Sequence, residues 1–145
     1  MFNRILVPFD GSVGAEAALE KAAELAQLCG AELNILTVYR HHSMLEASFS
    51  MVRPSDPGNL DDVMQDHARE VAEHGKKRAA EAGAGNVRAF IKAGQPARTI
   101  VGFAGEHGND CIVIGSRGLG SVEGYLLGSV SHKVTALAEM PVLVI

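Results

Sequence analysis

The chain has 145 residues, a formal net charge of −4, 47% hydrophobic residues and 21% charged ones. That length suits a single domain, residues 1–145, which closes a core without metal or disulfide staples, and the composition excludes a largely disordered chain. The mild acidity argues against a surface built for nucleic acid or anionic lipid.

The opening MFNRILVPFD lacks the basic region, long apolar stretch and cleavage site of a secretory leader. No apolar run in the chain approaches the roughly 18 residues that span a bilayer, so the expectation is a cytoplasmic protein with no direct membrane insertion. Arg4 to Phe9 reads as a first strand ended by Asp10-Gly11-Ser12. Ala15, Ala18, Leu19, Ala22, Ala26 and Cys29 then recur at helical spacing as far as Gly30. Leu33 to Tyr39 is a second strand. After the segment Arg40 to Asn59, Asn59 and Asp62 open a long helix with Leu60, Val63, His67, Val71 and Ala79 on one face, stopped near Gly83. Val87 to Lys92 is a third strand. Gly94-Gln95-Pro96 starts a helix whose inward positions are Ala97, Ile100, Val101 and Ala104, followed by a fourth strand, Cys111 to Ile114. A last helix, from about Gly128 to Met140, leads through Pro141 to a fifth strand, Val142 to Ile145. The two cysteines, Cys29 and Cys111, stand far apart in apolar contexts with no CxxC spacing and read as buried reduced thiols.

Near-continuous apolar strands alternating with helices call for a doubly wound α/β fold with a parallel sheet covered on both faces. Ligands of such folds bind beyond the carboxyl ends of the strands, where the strand order reverses. The loops after Phe9, Tyr39 and Ile114 are therefore the ones to inspect.

One of them is glycine-rich. GSRGLGSVEGYLLGSVSHKV, residues 115–134, runs from the fourth strand into the last helix. Glycine lets a phosphate oxygen approach the main chain, and a helix N-terminus offers unpaired amides, so the stretch suits an anion. Ser129 and Ser131 in the first turn can cap the helix or donate to phosphate, and Arg117 offers a fork of donors. The Walker loop is absent, since no lysine follows at the required place. GxGxxG also fails, because Gly118-Leu119-Gly120-Ser121-Val122 is followed by Glu123. What fits is Gly115-x2-Gly118-x9-Gly128-Ser129.

That G-x2-G-x9-G-[ST] pattern, with ILVPFDGS at the start, Gly94-Gln95-Pro96, IVIGSRG, GSVSHKV and the closing PVLVI in order, resembles the ATP-binding branch of the universal stress protein family from end to end. The resemblance implies a Rossmann-like five-stranded parallel sheet in the order 3-2-1-4-5, with ATP or a related nucleotide at the switch point and magnesium arriving with it. It implies a homodimer or higher homo-oligomer, often through the strand Val142 to Ile145. Carried over by motif, Asp10 meets the ribose or adenine end, and Pro8 and Val38 line the adenine pocket. Gly115, Arg117 and Gly118 hold ribose and phosphates, while Gly128, Ser129, Val130 and Ser131 close around the phosphate tail. Read without the resemblance, Asp10 is a turn carboxylate capping the first helix. Many relatives place a basic residue just before the apolar triplet preceding Gly-Ser, where this chain has Gly124 before Tyr125-Leu126-Leu127. One phosphate contact of the family thus lacks its usual residue.

The six histidines include adjacent His41-His42 and the pair His67 and His74, which can share a helix face, but no carboxylate or cysteine cluster accompanies either pair at ligand spacing. The segment Arg40 to Asn59 carries Met44, Leu45, Phe49, Met51 and Val52 beside the expected site, as packing under the long helix, a lid or a partner surface. It is similar to TeaD-like regulators associated with TRAP-type compatible-solute transporters, which implies a membrane-transporter partner. No motif demands chemistry. The leading expectation is a nucleotide-binding regulator; a slow ATPase, with Glu123 as the carboxylate of the phosphate loop, and a nucleotide-independent scaffold are the alternatives.

Overall fold

The computed structural model describes residues 1–40, 57–117 and 127–145. The chain alternates strands and helices: β1 (Arg4–Pro8), α1 (Val13–Cys29), β2 (Glu32–Tyr39), α2 (Pro57–Glu81), β3 (Val87–Ala93), α3 (Pro96–Glu106), β4 (Cys111–Ile114), α4 (Ser129–Leu137) and β5 (Val142–Val144). The five strands form one parallel sheet in the order β3-β2-β1-β4-β5. Central β1 pairs with β2 from Arg4↔Glu32 to Pro8↔Leu36 and with β4 at Ile5↔Cys111 and Leu6↔Ile112. The order therefore reverses between β1 and β4.

Strand alternation divides the core into two layers. Ile5, Val7, Leu33, Ile35 and Val113 pack under α1 and α2, while Leu6, Leu36, Ile112 and Ile114 pack under α3 and α4. α1 lies on the sheet through small residues, with Ala15, Ala18, Leu19, Ala22, Ala23 and Ala26 buried. Ser12 caps it, its Oγ accepting from Ala15 N at 3.1 Å, and Gly30 ends it at φ 67°, where glycine bears no Cβ penalty. In α3 the inward row includes Phe103, which sequence periodicity passed over; it stacks on His107 with ring centroids 3.7 Å apart.

Three expectations need correction. The face of α2 drawn through Val63 and His67 is rotated, because Val63 is 62% exposed and His67 is also exposed. The inward row is Ala68, Ala72, Gly75 and Ala79. A Cβ at Gly75 would stand 2.9 Å from Phe9 Cδ2 and 3.3 Å from Ile35 Cγ2, so α2 seats where its side chains are smallest. α4 stops at Leu137 rather than Met140. Ala138 is already extended, at ψ 139°, three residues ahead of Pro141, which cannot continue a helix. Cys29 is half-buried instead of enclosed, and both thiols are free.

Cys111 is 1% exposed, and burial, with lesser contributions from Asp110 and Cys29, raises its thiol from 9.0 to about 11. The unfolded chain loses this proton near the ordinary value while the folded chain keeps it. Stability is therefore complete below that value and falls as pH rises towards the folded one, by an amount on the order of 2 kcal/mol. Denaturation midpoints followed through this alkaline range should show the decline, and Cys111→Ala should flatten it. Among the described residues no helix is long and apolar enough to cross a membrane, and no three metal-ligating side chains come together. His74 pairs with Glu16, Nε2 to Oε1 at 3.5 Å, while His41 and His42 lie outside the described residues.

Candidate functional site

At the strand reversal the loops leaving β1 and β4 diverge and open a cleft of about 400 Å³ at the carboxyl edge of the sheet. β1 and its turn supply Pro8, Phe9 and Asp10, and β2 supplies Leu36, Val38 and Arg40. α3 contributes Pro96 and Ile100, the end of β4 contributes Ile114, Gly115 and Arg117, and α4 contributes Gly128, Ser129, Val130 and Ser131. Nine residues named from sequence thus line one space: Pro8, Asp10, Val38, Gly115, Arg117, Gly128, Ser129, Val130 and Ser131. Gly118, with Glu123 and Gly124, lies outside the described residues.

The walls are held by main-chain bonds. Thr37 Oγ1 donates to Phe9 O at 2.7 Å, pinning the end of β1 to β2. Asp10 Oδ1 accepts from Ser12 N at 2.9 Å, and Gly11 turns the chain at φ 81°. Asp10 therefore shapes the turn, and the cap of α1 is Ser12. The loop after β4 crosses the first turn of α1 with no room to spare. A Cβ at Gly115 would lie 2.7 Å from the carbonyl carbon and oxygen of Gly14, and one at Gly14 would strike Arg117 O.

Three helices start at this cleft, and their first turns differ. α1 has its Ser12 cap, and in α3 the Gln95 side chain accepts from Arg98 N at 3.0 Å. Gly128, the cap of α4, has no side chain to offer, so among the described residues no side-chain cap meets the first amides of α4. Apolar Val38, Pro96, Ile100 and Ile114 also line the cleft, and Val38, Ile100 and Ile114 belong to the same packed cluster as Val130 of α4.

The two serines of α4 do different work. Ser129 is exposed on the rim. Ser131 is 3% exposed, and its Oγ proton is shared between Ser116 O at 2.8 Å and Gly128 O at 3.1 Å. Ser116 O also accepts from Gly128 N at 2.6 Å, and Ser116 N donates to Ile145 O at 2.8 Å. Ser131 is thus a strut that fixes the start of α4 against the loop after β4. Ser131→Ala should cost about 1 kcal/mol in urea denaturation, whereas Ser129→Ala should stay within about 0.5 kcal/mol.

Sequence reading missed Phe9, Ser12, Ala15, Leu36, Arg40, Pro96, Ile100 and Ile114 as lining. Strand alternation gave the signal for Leu36 beside Val38, and the Gly-Gln-Pro start gave it for Pro96. Arg40 carried no motif. For magnesium the described lining offers one carboxylate, Asp10, and the exposed Ser129 hydroxyl, so a metal there would take most of its ligands from water or from a bound ligand.

The universal stress protein family matches residues 1–145. Universal stress protein YxiE of Bacillus subtilis is 36% identical over 148 residues, covering 100% of this chain and 99% of its own. Among solved structures, the universal stress protein UspA from Lactobacillus plantarum superposes with TM-score 0.82 at 30% identity, covering 99% of this chain and 97% of its own. A universal stress protein in complex with cAMP gives TM-score 0.74 at 27% identity, covering 99% and 96%. A family match along the whole chain, with the same strand order and relatives similar from end to end, makes this chain a member of the universal stress protein family.

Proposed function

We propose that the cleft binds ATP with magnesium and that the protein acts as a nucleotide-dependent regulator. The observation that carries this reading is the first turn of α4, which Gly128 caps with no side chain, in a cleft lined also by Arg117 and by apolar Val38, Pro96, Ile100 and Ile114. A phosphate tail would supply the missing acceptor at α4, where the helix dipole also favours negative charge, and a flat base would pack against the apolar lining. The complex of a similar universal stress protein with cAMP supports an adenine nucleotide as the ligand. In this arrangement Gly115 and Gly128 give phosphate oxygens access to the main chain, Arg117 neutralises charge, and Pro8 and Val38 flank the base.

The same geometry favours a regulator over an ATPase. Among the described lining residues the carboxylate is Asp10, and one of its oxygens is engaged by Ser12 N. The output we assign is a change in self-association through the sheet edge β5, where Leu143 is 44% exposed, or in affinity for a partner. A membrane transporter is the partner that the likeness of Arg40–Asn59 suggests, and most of that segment lies outside the described residues.

Calorimetric titration with magnesium-ATP tests the reading. The parent protein, freed of copurified nucleotide, should bind at micromolar strength, and Arg117→Ala should weaken binding about 10- to 100-fold. No binding by the parent overturns it.

A further inference from the structure

The cleft carries a second cation, Arg40, at its base end. Leu36, Val38 and Arg40 occupy alternate positions of β2 and its extension, so they project from one face of the sheet. Along this row exposure rises from 1% at Leu36 through half-buried Val38 to exposed Arg40. The first two line the cleft with Pro96 and Ile100, and the exposed third lines it where the chain leaves β2. Its point of emergence is fixed, because Tyr39 O accepts from Gly94 N at 2.9 Å and holds the end of β2 to β3. Among the described residues no carboxylate pairs with Arg40.

An exposed guanidinium on the same strand row as apolar Leu36 and Val38, in a cleft they line with Pro96 and Ile100, is placed to meet the face of a base. Planar and weakly hydrated, it stacks on aromatic surfaces, a role that lysine does not reproduce. We propose that Arg40 is a specificity-determining residue of the nucleotide site, closing over the base as a stacking cation, while Arg117 serves the phosphates. This rests on the nucleotide reading above. It adds that the site gains a contact with the base from the end of β2, a position outside the glycine motif.

The test compares the parent, Arg40→Met and Arg40→Lys with two probes, magnesium-ATP and inorganic tripolyphosphate, by calorimetry. Arg40 is exposed, so the variants should keep the parent's thermal midpoint. If Arg40 acts on the base, Arg40→Met should weaken ATP about tenfold and leave tripolyphosphate within about twofold. Arg40→Lys, which keeps the charge and loses the plane, should resemble Arg40→Met. Equal weakening of both probes would make Arg40 a general electrostatic contributor and overturn the proposal, as would unchanged ATP binding by Arg40→Met. Absence of ATP binding in the parent would instead remove the nucleotide reading itself.

Discussion

Gly115→Val should lower stability by about 3 kcal/mol and abolish measurable nucleotide binding at concentrations that saturate the parent. Gly115 is buried at the point where the chain leaves β4 and crosses the first turn of α1. Its would-be Cβ meets the carbonyl carbon and oxygen of Gly14 at 2.7 Å and Ala15 N at 3.2 Å. These are backbone atoms of a capped helix, so no rotamer change relieves the contact and the loop must lift. Lifting it carries Ser116 and Arg117 away and breaks the convergence of Ser116 O with Gly128 N and Ser131 Oγ. Both the cation and the first turn of α4 are displaced together. Urea denaturation and magnesium-ATP titration of the same preparation separate the two effects. A variant of parental stability that binds normally would show that the loop after β4 does not position the site.

The fold was legible because its signals are redundant. Each strand is a short apolar run, and each described helix start and stop has a local cause, such as Ser12, Gly30, Gln95 or Gly128. The parallel orientation of the strands then follows from the helical crossovers, while their order came from the family resemblance. The face of α2 was not legible, because hydrophobic periodicity weights large side chains. The sheet instead selected the row bearing Ala68, Ala72, Gly75 and Ala79, where the helix axis comes nearest to Phe9 and Ile35. In a helix rich in small residues the buried stripe is defined by what is missing from it, and counting apolar residues points the wrong way.

At the site, the residues with special backbone requirements announced themselves. Gly115, Gly128 and Ser129 are spaced as in the family's G-x2-G-x9-G-[ST] pattern, and Asp10 and Pro8 end β1 where the order reverses. Division of labour was not readable. Ser129 and Ser131 look alike in sequence, yet one is at the rim and the other is buried with its proton committed to main-chain carbonyls. Arg40 looks like the start of a loop and becomes part of the cleft only because the pleat of β2 continues its row past Val38. Such roles depend on how separate segments meet in the fold, as Ser131 meets Ser116 15 residues away, which no local pattern encodes.

Gly14 is the sharpest instance, because local and tertiary physics predict opposite signs for one substitution. It stands in the first turn of α1, where alanine is a better helix former than glycine by up to about 1 kcal/mol. On propensity alone Gly14→Ala would stabilise the protein. Its Cβ, however, would strike Arg117 O, a main-chain atom with no side-chain freedom to withdraw. We expect the clash to win and stability to fall by about 2 kcal/mol net. Nucleotide affinity should fall with it, since the displaced peptide bears Arg117. Gly14 and Gly115 guard the same contact from its two sides, so once either substitution has lifted the loop the other costs little more. The Gly14→Ala/Gly115→Ala double variant should therefore lose less than the sum of the singles, by an interaction term of about 1 kcal/mol in urea denaturation. Strict additivity would mean that the two glycines answer to separate constraints, and a stabilised Gly14→Ala would mean that the loop after β4 yields freely and cannot be what holds Arg117 at the cleft.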